Sequence, residues 1–243
     1  MKIVDIKTTI VNAEMRNWVF VKVITDNDLY GWGEATVEWK TRAVAGAIDD
    51  LKPLLIGKDP RNIKQNFQIM TKHGFWKMGV IGMTAISGIE HALWDILGKS
   101  LNTSVWQLLG GKVRDKIKIY THLGMGDMNA VYKDTMDNQK LNDHALELVS
   151  KGYKAFKVVF IPFTHHTNSI KNLKNVNKLM SSLREAVGDE IDIMVDFHGR
   201  CASGISAIQY IKELEPYNPL FIEEPILPGD NKTFLQIKNS INC

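Results

Sequence analysis

The chain has 243 residues, enough to bury a substantial core as one large domain or two small ones. It is 44% hydrophobic and 23% charged with a formal net charge of +3, an ordinary globular balance that argues against nucleic acid or a membrane surface as partner. Two cysteines, Cys201 and Cys243, are too few for a disulfide framework and suit a reducing cytosol. The N-terminal Met1–Lys7 is broken by charge every second or third residue, and no stretch is expected to span a membrane, so the expectation is a cytoplasmic protein.

Residues 1–35 carry strand signals. Ile3, Ile6, Val11 and the run Val19–Ile24 are β-branched or aromatic, Thr25–Asp28 supplies turn chemistry, and Leu29–Glu34 would close an antiparallel meander. Helical spacing follows, clearest over Thr84–Gly98, where Ile86, Ile89, Leu93, Ile96 and Leu97 share a face. Residues 1–112 therefore read as an α+β domain.

From residue 113 the pattern alternates. Strands are predicted at Ile117–Leu123, Ala155–Ile161, Ile191–Phe197 and Leu220–Ile222. Helices are predicted between them, and a last one is capped by Asp230. Four βα units in a row imply an α/β fold with a parallel sheet, and four units do not close an eight-stranded barrel.

Sites of parallel α/β folds lie at the carboxyl ends of strands. The third strand of this half ends Met194-Val195-Asp196-Phe197-His198-Gly199-Arg200, and the fourth ends Leu220-Phe221-Ile222-Glu223-Glu224-Pro225. With a side-chain period of two, Asp196 and His198 share one face while Val195 and Phe197 take the other. Adjacent parallel strands lie about 4.8 Å apart, so Asp196 and Glu223 can converge on one cation. Hard oxygen donors favour Mg²⁺ or Mn²⁺ over zinc. Read alone, a strand-end aspartate can equally cap a helix, and Glu224 is expected beside the site rather than as a ligand. Lys157 interrupts an apolar strand; facing inward it would lose pKa on burial and suit proton chemistry, or else pair with a carboxylate. His165 and His166 are expected in a loop near the mouth. Gly110-Gly111-Lys112 lacks the other residues of a P-loop, and no dinucleotide fingerprint or Gly-x-Ser-x-Gly elbow occurs.

Four segments together resemble the enolase superfamily, in its mandelate racemase-like group and nearest its galactonate dehydratase-like members. They are Gly31-Trp32-Gly33-Glu34; Gly88–Asp95 with Leu108-Leu109-Gly110-Gly111; Asp196–Arg200; and Phe221–Pro225. The resemblance implies an α+β capping domain followed by the first half of a (β/α) TIM-like barrel over residues 113–243. It implies Asp196 and Glu223 as two of three acidic ligands to Mg²⁺, and His198 as the acid that protonates a departing hydroxyl. Arg200, Trp18 and the loop Trp32–Trp39 would contact a sugar-acid substrate. The reaction implied is α-proton abstraction to an enediolate with loss of the β-hydroxyl. Relatives with a Lys-x-Lys pair carry lysine where this chain has Val159, so Lys157 is expected to position charge. The third ligand and the general base are expected beyond Cys243, leaving this chain inactive alone, and a homo-oligomer is expected at full length. The alternatives are a racemase or epimerase of the same superfamily, and a non-catalytic half-barrel that assembles through its open edges.

Overall fold

Three antiparallel strands open the chain: β1 (Ile3–Ala13), β2 (Arg16–Thr25) and β3 (Tyr30–Glu34), in spatial order β1-β2-β3. The strand predicted at Val19–Ile24 is real, and its faces alternate: Val19, Val21 and Val23 are buried, and their neighbours are more open. Four helices follow: α1 (Thr41–Leu55), α2 (Ile63–Lys72), α3 (Gly79–Ser100) and the short α4 (Val105–Leu108). These elements form a compact unit over Met1–Asp115, and a second unit spans Lys116–Cys243. The computed structural model describes residues 1–123, 137–164 and 166–243.

The helix α3 is longer than its predicted core, and it corrects one expectation. It is long and apolar enough to cross a membrane by length and composition. Its apolar side, including Ile86, Ile89, Leu93 and Ile96, is however buried in the core of the first unit with Val21, Val23 and Val44. That packing accounts for its composition without a bilayer.

The Gly-Trp-Gly-Glu segment has a steric cause. β3 lies flat on α3. A Cβ on Gly31 would overlap the Ala92 carbonyl oxygen, and one on Gly33 would overlap that of Gly88. Gly88 in turn faces Ala35, whose Cβ would stand 2.6 Å from an added Cβ. Strand and helix backbones touch because the strand presents no side chain at either position. Gly33→Ala must push the strand off a backbone atom, so it is expected to destabilise the protein by about 2–3 kcal/mol, the upper end for overpacking. Thermal unfolding checks this; an unchanged midpoint would show that the sheet yields freely.

In the second unit, β4 (Thr121–Leu123), β5 (Ala155–Val158), β6 (Asp192–Asp196) and β7 (Ile222–Glu223) form a parallel sheet in the order β4-β5-β6-β7. The strands are shorter than predicted. Val159–Ile161 stay buried after β5 has left the ladder, which is why composition alone overextended it. Among the described residues the α-helices here are α5 (Asn138–Ser150), α6 (Ile170–Val187), α7 (Gly204–Leu214) and α8 (Asn231–Ser240). Each begins with a side-chain cap: Asp137, Ser169, Ser203 and Asp230 accept hydrogen bonds from backbone N–H groups of the first turn. Expectation and structure agree on Asp230.

Register sorts the two sheet faces. Leu123, Phe156, Val158, Ile193 and Val195 are buried in one core with the apolar sides of α5, α6 and α7. The other face carries His122, paired with Lys157; Lys157, paired with Met194; and Asp196, paired with Glu223. This second face is concave. Laid flat, the outer strands of four would stand about 14 Å apart, yet the rings of Tyr120 and Phe221, next to β4 and β7, meet with centroids 6.4 Å apart. The sheet is a trough, as the right-handed twist of a closing barrel requires.

Candidate metal and catalytic site

Asp196 is the last residue of β6, and only 4% of its surface is exposed. A buried carboxylate needs partners, and three are present. Its Oδ1 accepts the His198 backbone N–H at 2.7 Å, and its Oδ2 lies 3.1 Å from Lys157 Nζ and 3.7 Å from His198 Nδ1. Glu223 is paired with Asp196 across β6 and β7, and its Oε2 lies 2.7 Å from the same Lys157 ammonium. Two carboxylates from neighbouring strand ends thus hold one positive charge between them. This is the convergence expected of Asp196 and Glu223, and its donors are the hard oxygens that suit Mg²⁺.

Lys157 faces inward as expected and is 6% exposed, but the expected lowering of its pKa is reversed. Burial does press the ammonium towards neutrality. The hydrogen bonds to Glu223 and Asp196 outweigh that cost and hold the pKa above the ordinary lysine value. Lys157 is therefore held as a cation between the two carboxylates, the ion-pair option of the two that its position offered.

His198 reaches the site by a route that strand alternation did not predict. β6 ends at Asp196, and His198 sits in a left-handed turn at φ 53° with Gly199 at φ 65°. The Asp196 side chain holds that turn through the His198 N–H, and Gly199 N donates to the Glu224 carbonyl at 2.8 Å. The ring is half open to solvent, with Nδ1 3.8 Å from Glu224 Oε2. Glu224 is likewise left-handed at φ 43°. Ligand atoms of Asp196, His198 and Glu224 lie within 4.8 Å of one another, a second group that geometry alone could offer a metal. An imidazole suits Mg²⁺ poorly, and Glu224 is exposed on a turn, so the register pair Asp196 and Glu223 is the better oxygen site.

Arg200 follows β6 in the same turn region as His198 and Gly199. It is buried, its Nη1 donates to the Ile161 carbonyl at 2.5 Å, and its guanidinium stacks 4.8 Å from the Phe163 ring centre. A buried guanidinium takes the acceptors at hand, and Arg200 braces the loop after β5 against that after β6. Trp18 belongs to the first unit, on β2; it is exposed, and its ring meets Phe20 edge to face at 6.2 Å. The His166 carbonyl accepts the Ser203 hydroxyl at 3.1 Å, and His165 falls outside the described residues.

His122 was missed. It lies in β4 beside Lys157 and on the same face. Burial, then the Lys157 charge, hold its pKa below the ordinary histidine value, while Asp196 and Glu223 pull it the other way. The period-two step from Tyr120 was the signal that could have found it.

An α+β unit together with a parallel βα unit whose strand ends gather carboxylates around one cation defines an α/β protein with an acidic strand-end site. Two family descriptions match the chain: "Mandelate racemase / muconate lactonizing enzyme, N-terminal domain" over residues 2–110, and "Enolase C-terminal domain-like" over residues 140–242. The chain belongs to the enolase superfamily, in the mandelate racemase/muconate lactonizing enzyme group. It is 42% identical over 210 residues to a D-galactonate dehydratase from Klebsiella pneumoniae (strain 342), a match that covers 86% of this chain and 52% of the relative. An enolase from Pantoea ananatis with bound D-gluconate and Mg superposes with a TM-score of 0.83 at 29% identity, covering 98% of this chain and 63% of that one. A member of the enolase superfamily from Salmonella Typhimurium gives 0.89 at 31% identity, with coverage of 99% and 66%. The chain thus spans about half the length of the curated relative.

Proposed function

We propose that this chain carries two metal ligands and the general acid of a Mg²⁺-dependent dehydratase acting on a galactonate-like sugar acid. The observation that carries the reading is the pairing of Asp196 and Glu223 around a single cation with the His198 ring beside them. The 42% identity to a D-galactonate dehydratase supports the substrate class. The Mg found with D-gluconate in the Pantoea relative supports the ion.

On this reading Asp196 and Glu223 hold the ion, and Lys157, kept as an ammonium, adds fixed positive charge where a substrate carboxylate would lie. Bound Mg²⁺ would offset the second negative charge that develops on that carboxylate as the α-proton leaves. His198 gives its ring proton to the β-hydroxyl, the C–O bond breaks, and water departs. The electrons of the former α-C–H bond become the new double bond, and the enol product tautomerises to a 2-keto-3-deoxy acid. The third carboxylate and the group that takes the α-proton belong, on this reading, to chain beyond residue 243. Epimerisation needs no acid at the β-hydroxyl, so His198 favours dehydration over that alternative.

Calorimetric titration of the chain with D-galactonate in Mg²⁺ is expected to show saturable binding that EDTA abolishes. Binding that ignores EDTA would contradict the reading. A fusion carrying the remaining length of the Klebsiella relative after residue 243 is expected to release a 2-keto-3-deoxy acid from D-galactonate. A 2-epimer without loss of water would transfer the chain to the racemase/epimerase class.

A further inference from the structure

The acid-bearing side of the trough has an opposite wall, and chemistry is present there too. Tyr120 and Phe221 touch across the concave face, 6.4 Å between ring centres, although their strands are the two outermost of the four. Side chains two residues further along an extended chain lie on the same face, one step nearer the strand ends. Those residues are His122, over Tyr120, and Glu223, over Phe221. The ring pair is thus a floor, with His122 at one side of it and the carboxylates at the other. Lys157 links the two sides, since it is paired in register with His122 and bonded to both Asp196 and Glu223.

We infer that His122 is a substrate-contacting, specificity-determining residue that hydrogen-bonds a hydroxyl of the polyol part of a sugar acid whose carboxylate lies at Asp196 and Glu223. This rests on the function proposed above and deepens it. An imidazole is suited to an alcohol when neutral, because it then offers one donor and one acceptor, the two bonds that a hydroxyl makes. Burial and the neighbouring Lys157 charge favour that neutral form. His122 is also exposed on the concave face, while the next residue, Leu123, is buried in the opposite core. It is therefore free to meet a ligand without disturbing the packing behind the sheet.

The test is calorimetry on the 243-residue chain saturated with Mg²⁺, using D-galactonate and, as a probe without distal hydroxyls, L-lactate. His122→Ala is expected to weaken D-galactonate about tenfold, the effect of one lost hydrogen bond at the upper end of its usual range. Affinity for L-lactate and for Mg²⁺ should stay within about twofold. His122→Asn, which keeps a donor and an acceptor, should recover part of the loss; it also stands in should the alanine variant fold poorly. In the unmodified chain, the His122 ring proton signal should move on addition of D-galactonate and stay in place with L-lactate. D-Galactonate binding equal in the variants and the parent would overturn the role of His122 and leave the function intact. Absence of any Mg²⁺-dependent D-galactonate binding by the parent would overturn the function and this inference with it.

Discussion

Asp196→Asn is expected to lower Mg²⁺ affinity by on the order of a hundredfold or more, because on the proposed function it removes one of the two charged oxygen ligands this chain supplies. The substitution is chosen for what it spares. The new side-chain amide would keep an oxygen to accept the His198 N–H, now bonded at 2.7 Å to Asp196 Oδ1, so the left-handed turn that carries His198 has no cause to open. Lys157 keeps its 2.7 Å bond to Glu223. Glu223→Gln should act in the same direction with less effect, since Glu223 is only partly buried and β7 is two residues long. Calorimetric Mg²⁺ titration separates these outcomes; an Asp196→Asn protein that binds Mg²⁺ like the parent would remove Asp196 from the ligand set.

Removing the opposite charge should do the reverse. Lys157→Met leaves Asp196, buried, and Glu223 facing each other with no cation between them. Breaking a buried ion pair from one side costs about 3 kcal/mol or more, because the remaining charge stays desolvated. In EDTA that corresponds to a midpoint roughly 10 °C lower for a chain of this size. Mg²⁺ is then expected to recover more stability in the variant than in the parent, since the ion takes over neutralisation from the ammonium. The pH dependence follows from the raised pKa. The Lys157 contribution is fully present below the ordinary lysine value of 10.5 and is lost as pH rises through the higher folded value. In EDTA the stability gap between parent and variant should therefore stay constant below pH 10.5 and narrow as the pH rises beyond it. Equal midpoints at neutral pH, or a gap insensitive to Mg²⁺, would show that Lys157 and the carboxylates do not form one charge cluster.

Much of this architecture could be read from sequence because periodicity and strand-end chemistry report directly on burial. The meander and the four βα units follow from alternation and helical spacing, and Asp196 and Glu223 follow from acids placed where apolar strands stop. Where the reading fell short, the cause was a contact between distant segments or a turn that ended a strand early. The two glycines of Gly31-Trp32-Gly33 mark the touch of β3 on α3, far away in the chain, and nothing local announces it. Lys157 was expected to be softened by burial, but its pKa is set by two carboxylates on other strands. His198 was placed by alternation on a strand that had already ended. The period-two step from Tyr120 places His122 on the Lys157 face, but the curvature that brings the two outer strands together shows only in the approach of Tyr120 to Phe221.

Diffraction from crystals of this chain soaked in Mn²⁺ reads the shared-cation claim directly. An anomalous peak about 2.1 Å from one oxygen of Asp196 and one of Glu223, with the Lys157 ammonium displaced from between them, is the result expected. A peak seated on His198 and Glu224 without Glu223, or none at all with Lys157 still bridging the two carboxylates, would contradict it.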